Sequence, residues 1–356
     1  MGGNPMRSAM VLAIACCLWG SSASAQKPAV GESLATSCSK LGIEDACAII
    51  AESSKMLGPS YPDVPVAVEA FRARGYNATP WTARSGRRGH ANQVFLVSRT
   101  GSNRLYVVIR GTDNFGDVVQ DLKAKAYTAT YADGQFYIPP GHGGFRRGML
   151  NIIGSGLLRS GEFDERPLDC GGLNARASVL AKHLCRYGMP TGPGQVELIL
   201  VGHSLGAGIA QVGAAAFAGL EFVKVPGGTM TVARQKYWPL TLRAVVAFAP
   251  PLAVYSKTDI EAGIAVPAGI ENQWSVLESH GIIGRTILFI NDRDLVPALS
   301  VGYGRHFGHR FRVDRDDRVT FDGTTTARDL NVAQAHTNVG YCTAVLKELK
   351  QPVVCD

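Results

Sequence analysis

The sequence predicts an α/β fold with a mostly parallel central sheet flanked by helices. The first observation is that three runs, which start at Val196, Arg243 and Arg285, are continuously β-branched or aromatic and show no polar alternation. Strands of this kind are typical of a parallel sheet that is buried on both faces. The second observation is that helix-like stretches lie between the predicted strands, and such alternation indicates a mostly parallel sheet.

The first part of the chain predicts helices. Residues 31–58 show helix-like spacing of apolar residues, and the pattern ends where three prolines follow within residues 59–65, because proline cannot continue a helix. A second helix is predicted over residues 66–76. We therefore expect residues 26–90 to form an N-terminal helical segment that packs on a core formed later in the chain.

Two predicted strands and two predicted helices come next. Residues 93–99 and 104–110 predict strands separated by a turn sequence. Residues 175–188 and 205–220 predict helices among the later strands. No linker divides this part of the chain, so we expect residues 91–356 to form one domain.

Residues 1–25 have the layout of a secretory signal peptide. Arg7 supplies a positive charge, an apolar run extends from Ala9 to Trp19, and a small-residue stretch ends at Ala25. The apolar run is shorter than the ~20 residues of a membrane-spanning helix. We therefore expect cleavage near Ala25, a secreted or periplasmic protein, and no stable transmembrane anchor.

The cysteines favour an oxidising compartment. Of the eight, Cys16 and Cys17 lie inside the predicted leader, where a cysteine also allows attachment of a lipid. An even number of remaining cysteines suggests disulfides, although sequence alone leaves many connectivities open. Pairing of sequence neighbours is the arrangement that we favour: Cys38 with Cys47, Cys170 with Cys185, and Cys342 with Cys355. Zinc is disfavoured because no CxxC is present and the histidines do not cluster with the cysteines.

Composition limits the classes of function. The chain has 356 residues, of which 46% are hydrophobic and 18% charged, and a formal net charge of +7. This is enough for one large globular core. A mildly basic exported protein is attracted to anionic headgroups, although charge that keeps the surface soluble is the simpler explanation. Lys and Arg are scattered and not grouped, which argues against nucleic acid as a partner.

A G-x-S-x-G motif is formed by Gly202, His203, Ser204, Leu205 and Gly206, between a predicted strand and a predicted helix. The glycines allow a sharp turn in which a strained backbone presents the serine hydroxyl outward. The helix that follows directs backbone N–H groups at an oxyanion formed there. We interpret Ser204 as the candidate nucleophile of a hydrolase and the Leu205 N–H as an oxyanion donor. A small residue in a glycine-rich turn is the structural alternative.

A serine nucleophile needs a histidine base and usually an acid that orients the base. In the order typical of α/β hydrolases, the acid and then the histidine follow the serine. Asp292 and Asp294 follow the last predicted strand, although both also suit a turn. His306, His309 and His336 come later. The i, i+3 spacing of the first two also suits a metal, and His336 is the better base because it leaves room for another strand before it.

A second oxyanion donor should come from the loop after an early strand. The strand that is predicted to end at Arg110 runs into Gly111 and Thr112. Thr112 offers both a backbone N–H and a hydroxyl. An ordinary turn at the end of a strand is the alternative.

Five ordered motifs make the chain resemble the class 3 lipases, which are fungal triacylglycerol lipases and their bacterial relatives. They cover about two thirds of the chain, from Val94 to Tyr341. The motifs are R-G-T before a lid sequence at residues 110–112, H-x-G-F at 142–145, the elbow G-H-S-L-G at 202–206, D-x-V-P at 294–297, and a histidine shortly before a tyrosine at His336 and Tyr341.

This resemblance implies a bacterial secreted serine hydrolase of carboxylic esters with the α/β-hydrolase fold, which works through an acyl-enzyme and needs no metal or organic cofactor. It also implies a role for each motif residue. The assignments are Ser204, Asp294 rather than Asp292, and His336 rather than His306 or His309 for the triad, Thr112 and Leu205 for the oxyanion hole, residues 114–122 for a lid, and supporting roles for His142 and His203.

Two departures from the family pattern bear on the substrate. The elbow continues as Gly206-Ala207-Gly208 where the family often has Gly-Gly-Ala, an exchange of small residues. The lid sequence has few large apolar residues, whereas a lid over a lipid-binding groove usually has a more apolar face. Acylglycerols or related lipid esters, met at a lipid–water interface or in solution, are the expected substrates. The alternatives are a phospholipase A1, a short-acyl or feruloyl esterase and, outside the enzymes, a catalytically silent lipid-binding protein.

Overall fold

A computed structural model of the protein describes most of the chain. The described residues are 28–84, 91–111, 126–127, 136–139, 141–159, 161–224, 230–253, 273–291, 294, 296–298, 306, 308–314, 316–322 and 337–355. The leader predicted over residues 1–25 lies outside these ranges.

The strands form one large sheet and two small ones. Their bounds are β1 (Asn77–Arg84), β2 (Ala91–Ser98), β3 (Arg104–Ile109), β4 (Ala126–Tyr127), β5 (Gly141–His142), β6 (Val196–His203), β7 (Leu220–Lys224), β8 (Met230–Arg234), β9 (Leu240–Phe248), β10 (Thr286–Asn291), β11 (His309–Val313) and β12 (Val319–Phe321). The large sheet has eight strands in the order β1-β2-β3-β6-β9-β10-β11-β12. Neighbours from β3 to β11 are parallel, and β1, β2 and β12 pair antiparallel at the edges. The predicted mostly parallel sheet is confirmed.

Helices cover both faces of this sheet. Their bounds are α1 (Leu34–Ser37), α2 (Ala46–Lys55), α3 (Val64–Ala73), α4 (Gly143–Gly154), α5 (Val179–Arg186), α6 (Leu205–Phe217), α7 (Gln273–Ser279) and α8 (Asn338–Glu348), with 3-10 turns at Cys38–Lys40, Gly58–Ser60, Ile283–Arg285 and Val296–Ala298. Among the described helices, none combines the length and apolar character that crossing a bilayer requires.

The hydrophobic core is divided between the two faces of the sheet. In β3, Leu105 and Val107 pack with the residues of α4, α5 and α6, whereas Tyr106 and Val108 pack with α1, α2, α3 and α8. Successive side chains of a strand point to opposite faces. Because both faces are covered, the central strands are apolar at nearly every position, which explains the continuous runs in the sequence.

The N-terminal segment contains the predicted helices and one strand that sequence reasoning missed. Helices α1 to α3 lie within residues 26–76, as expected, and their apolar side chains belong to one face of the core. The segment then continues into β1, where Pro80 pairs with Phe95 of β2. Proline cannot donate to a strand ladder and is confined to edge strands, and β1 is the edge of the sheet. A domain boundary at residue 90 remains a prediction.

Side-chain contacts fasten this segment to the sheet. The Tyr76 hydroxyl donates to Glu52 of α2, and Arg99 donates to the Tyr76 hydroxyl at 2.9 Å and to Glu52 at 3.2 Å. The Arg99 guanidinium also lies 4.2 Å above the Tyr76 ring. These contacts join α2 to the residue that follows β2.

The three predicted disulfides are confirmed. Cys38 pairs with Cys47, Cys170 with Cys185, and Cys342 with Cys355, at Cα–Cα distances of 5.2, 5.3 and 5.8 Å. Each of them joins a helix to residues close by in the chain.

Candidate active site

Ser204 lies at the sharp turn between β6 and α6. Its backbone has φ 56° and ψ −126°, and it is the residue that precedes the first turn of α6. A residue other than glycine with positive φ stores about 1–3 kcal/mol of strain and persists only where the surroundings hold it. One such restraint is a hydrogen bond of 2.9 Å from the Ser204 N–H to the Phe248 carbonyl at the end of β9. The predicted strained strand-to-helix turn is therefore present at this serine.

The two glycines of the motif are required because other backbone segments lie too close to leave room for a side chain. A Cβ at Gly202 would clash with the backbone of Gly206 and Ala207, one turn ahead. A Cβ at Gly206 would clash with the carbonyl of Ile109 at the end of β3. The turn therefore packs tightly between its own helix and the neighbouring strand.

Helix α6 presents its N-terminus to Ser204. Leu205 is the first residue of α6 and is 6% exposed, and amides at this position have no acceptor within the helix. The helix dipole adds positive potential at the same point. Helix α4 packs closely against α6, since a Cβ on Gly208 would lie 2.7 Å from the ring of Phe145 in α4. This contact gives the H-x-G-F motif a physical role, and His142 of that motif belongs to β5.

Asp294 lies three residues after the end of β10 and is 2% exposed. One carboxylate oxygen, Oδ1, accepts the Val296 N–H at 2.9 Å, and the other, Oδ2, accepts the Tyr341 hydroxyl at 2.8 Å. Its own N–H donates to the Asn291 carbonyl at 2.9 Å. Hydrogen bonds to both oxygens hold the carboxylate in one orientation.

Tyr341 of α8 joins this acid to the sheet. Its hydroxyl accepts the Asn291 N–H at 2.9 Å while it donates to Asp294, and its side chain is fully buried. In the sequence, Tyr341 stands out only as part of a family motif, and no pattern there predicts its contact with Asp294. The sequence feature that pointed to this tyrosine was its position shortly after His336, the candidate base.

Gly111, which follows β3, lies directly beside Ser204. A Cβ built on Gly111 would lie 3.2 Å from the Cβ of Ser204 and 2.7 Å from the His203 carbonyl. The backbone that leads to Thr112 therefore lies next to Ser204, which is where a second oxyanion donor is needed.

Four of the predicted features lie outside the described residues. They are Thr112, His336, Asp292 and the lid sequence at 114–122.

The other two candidate histidines are described. His309 begins β11 and hydrogen-bonds the Gly284 carbonyl at 3.1 Å, so it belongs to the amino end of the parallel strands. Burial lowers the pKa of His306 to about 3. In the described part of the chain, no three His, Cys, Asp or Glu side chains are grouped to hold a metal ion.

A family comparison identifies the fold's relatives. The family model for lipase (class 3) matches residues 106–303, which is more than half of the chain. The chain belongs to the class 3 lipases. As a member of this family it is a lipase-type carboxylic ester hydrolase with the α/β-hydrolase fold. The matched residues of this class 3 lipase include Ser204 and Asp294, whereas Tyr61, His336 and Tyr341 lie beyond them.

Several solved fungal lipases are similar in structure to this class 3 lipase. The Rhizomucor miehei triacylglyceride lipase has 13% identity and a TM-score of 0.48, with 88% of this chain and 98% of that chain covered. The lipase from Rhizopus microsporus var. chinensis has 14% identity and a TM-score of 0.48, with 93% and 92% covered. The Lip2 lipase from Yarrowia lipolytica has 14% identity and a TM-score of 0.48, with 88% and 96% covered. A search of curated protein sequences found no match.

Proposed function

We propose that the protein is an exported bacterial lipase that hydrolyses acylglycerols or related lipid esters with Ser204, His336 and Asp294 as its triad. The observation that carries this proposal is the backbone of Ser204, which is strained at φ 56° and held between β6 and α6. This geometry presents a serine hydroxyl at the carboxyl edge of a parallel sheet, where a nucleophile of this fold acts.

In the proposed reaction, His336 accepts the Ser204 proton as the serine oxygen attacks the ester carbonyl carbon. The tetrahedral oxyanion is stabilised by the N–H of Leu205 and by Thr112. Collapse of this intermediate breaks the ester bond, and the protonated His336 delivers the proton to the departing alcohol. Water then attacks the acyl-enzyme with the same histidine as base, which releases the carboxylic acid and regenerates Ser204.

The position of α8 supports His336 as the base. His336 directly precedes Thr337, whose side chain accepts the Gly340 N–H at 3.1 Å and begins α8. The same helix supplies Tyr341 to Asp294 at 2.8 Å. The chain that enters α8 is thereby tied to the acid, which must accept a hydrogen bond from the base.

Export is supported by the leader sequence and by the disulfides. Residues 1–25 have the order of a signal peptide, and three disulfides join the six remaining cysteines. Disulfides persist in oxidising compartments such as the periplasm and the extracellular medium. We propose that residues 26–90 belong to the mature protein as a segment that packs on the domain formed by residues 91–356.

A fluorophosphonate probe tests the nucleophile. We expect one label per chain on the wild-type protein and none on Ser204→Ala, with ester hydrolysis reduced by about 10⁴-fold or more. Asp294→Asn should remain folded and lose about 10⁴-fold in kcat, because the base would take the wrong tautomer. Ser279→Ala, an exposed serine of α7, is the matched control and should label like the wild type. Equal labelling of Ser204→Ala would contradict the proposal.

Ester chain length tests the substrate class. A lipase should hydrolyse p-nitrophenyl esters of long acyl chains and gain rate above the substrate solubility limit. The few apolar residues in the lid sequence favour the alternative of a short-acyl or feruloyl esterase, which would prefer C2 to C4 esters and show no such gain. The net charge of +7 favours phospholipase A1, which would release the sn-1 fatty acid from an anionic phospholipid.

A further inference from the structure

Tyr61 reaches the active site from the N-terminal segment. It follows the 3-10 turn at Gly58–Ser60 and precedes α3. Its hydroxyl forms a hydrogen bond with Nδ1 of His203, the residue before the nucleophile, and the two rings meet edge to face with centroids 5.7 Å apart. The two residues are separated by 142 positions in the chain, so this contact depends on the tertiary fold.

The same tyrosine lies against Gly111, which follows β3. A Cβ built on Gly111 would lie 2.8 Å from the Tyr61 hydroxyl oxygen and 3.2 Å from the Cβ of Ser204. Arg110 lies 5.6 Å from the Tyr61 ring and donates to the Pro62 carbonyl at 3.3 Å. Tyr61 therefore fills the space between the end of β3 and the elbow.

His203 connects this contact to the acid. Its ring, which is 4% exposed, also meets Tyr341 edge to face with centroids 5.9 Å apart. The Tyr341 hydroxyl is the donor to Asp294. A continuous set of contacts thus runs from Tyr61 through His203, the residue before Ser204, and Tyr341 to Asp294.

We propose that Tyr61 is a positioning residue for ester hydrolysis, which holds His203 and the backbone at Gly111 so that Ser204 and the end of β3 keep their relative positions. The inference rests on the proposed function of Ser204. It assigns part of the active site to a segment outside residues 106–303, the part of the chain that matches the family. A tyrosine suits this role because its hydroxyl binds Nδ1 of His203 while its ring contacts the His203 ring and the Arg110 guanidinium.

Tyr61→Phe tests the role because it keeps the ring and removes only the hydroxyl. We expect kcat for a soluble p-nitrophenyl ester to fall about 10-fold, as loss of one well-placed hydrogen bond in a site of this kind permits, with KM unchanged. The rate of fluorophosphonate labelling should fall by the same factor, while one label per chain is still reached. Such a change in kcat alone indicates misplacement of reacting groups and not weaker substrate binding.

Tyr76→Phe is the matched control. Its hydroxyl also bonds a side chain of another element, Glu52 of α2, but it lies in the contacts that fasten the N-terminal segment and not at Ser204. We expect both variants to lower the melting temperature, and only Tyr61→Phe to lower kcat.

A double-mutant cycle with His203→Phe completes the test. Tyr61→Phe should lower kcat by a smaller factor in the His203→Phe background than in the wild type, because coupled residues are not additive, and equal factors in the two backgrounds would overturn the inference. An unchanged kcat in Tyr61→Phe, or equal kcat losses in Tyr61→Phe and Tyr76→Phe, would overturn the inference. Absence of labelling and ester hydrolysis in the wild type would instead contradict the proposed function.

Discussion

The two ends of the parallel strands differ in what they contain. At the amino ends, Arg104 of β3 donates two hydrogen bonds to Glu197 of β6 at 2.8 and 2.9 Å, and Arg243 of β9 lies 3.8 Å from the same carboxylate. These side chains are 22–27% exposed. At the carboxyl ends, Ser204 and Asp294 are almost completely buried.

From this difference we expect stability to be insensitive to the charges at the amino ends of the strands and the proposed chemistry to depend on their carboxyl ends. The charges at the amino ends are partly exposed and should tolerate substitution, since ion pairs near the surface contribute little. The carboxyl ends hold a strained serine, two glycines without room for a Cβ, and an acid with a bond to each oxygen. Substitutions there should be costly. Three predictions test this contrast.

The largest effect is expected at the elbow. Gly206→Ala would bring a methyl group against the Ile109 carbonyl of β3, which is backbone and cannot turn aside. We expect a loss of at least about 3 kcal/mol in the free energy of unfolding, together with loss of ester hydrolysis. Urea unfolding and fluorophosphonate labelling measure the two effects.

Gly154→Ala is the control for this substitution. Gly154 is the last residue of α4, and a Cβ there meets nothing within 4 Å. We expect stability to rise by about 0.5–1 kcal/mol, because alanine is the better helix former. A Gly206→Ala protein as stable as the wild type would show that the elbow can relax.

The second prediction concerns His183 of α5 near the amino ends of the strands. Its ring is 1% exposed and bonds Ser98 Oγ at 3.1 Å and Thr79 Oγ1 at 2.8 Å. Burial, helped by nearby Arg186, lowers the pKa of His183 from 6.5 to about 4. Between these values the unfolded chain binds a proton that the folded chain does not. Stability from this group is therefore complete above pH 6.5 and falls by up to about 3 kcal/mol as the pH drops to 4.

Urea unfolding between pH 4 and 7 measures this dependence. His183→Gln should be less stable at pH 7 but should lose less stability over the acidic range than the wild type. His280→Gln is the control, since His280 lies at the end of α7 and accepts or donates only locally, to Val276 and Ser279. Its pH dependence should match that of the wild type. Parallel curves for His183→Gln and the wild type would mean that His183 titrates alike in both states.

The smallest effect is expected at the amino-end ion pair. Glu197→Gln removes the charge that Arg104 and Arg243 share, yet partly exposed pairs contribute less than about 1 kcal/mol. We expect a small loss of stability that shrinks further in high salt, and unchanged ester hydrolysis. Glu44→Gln, whose side chain is 77% exposed, should have less effect still. A loss of activity in Glu197→Gln would remove the contrast between the two ends.

The sequence predicted the strands that are buried on both faces of the sheet. The strands β6, β9 and β10 are covered on both faces, so their apolar runs are continuous and easily recognised. Strand β1 was missed because an edge strand with Pro80 lacks such a run. The hairpin of β7 and β8 was missed as well, since it stands apart from the large sheet with Val223 43% exposed.

At the candidate site, the sequence predicted the features that depend only on residues next to one another in the chain. The turn at Ser204 follows from a strand that runs directly into a helix, whereas Asp292 and Asp294 both come after β10 and only the resemblance to the class 3 lipases selected Asp294. The contacts of Tyr61 and Tyr341 join residues 142 and 47 positions apart. No periodicity or short motif encodes such pairs, because they arise only when separate elements dock on the sheet.

The disulfides have a consequence for how the chain matures. Their partners are separated by 9, 15 and 13 positions, so each loop is short and its closure entropy small compared with that of a link between distant segments. Each of the six paired cysteines can therefore meet its partner before the central strands have assembled. Formation of the three disulfides is therefore a set of local events, and none of these three bonds joins one strand of the large sheet to another.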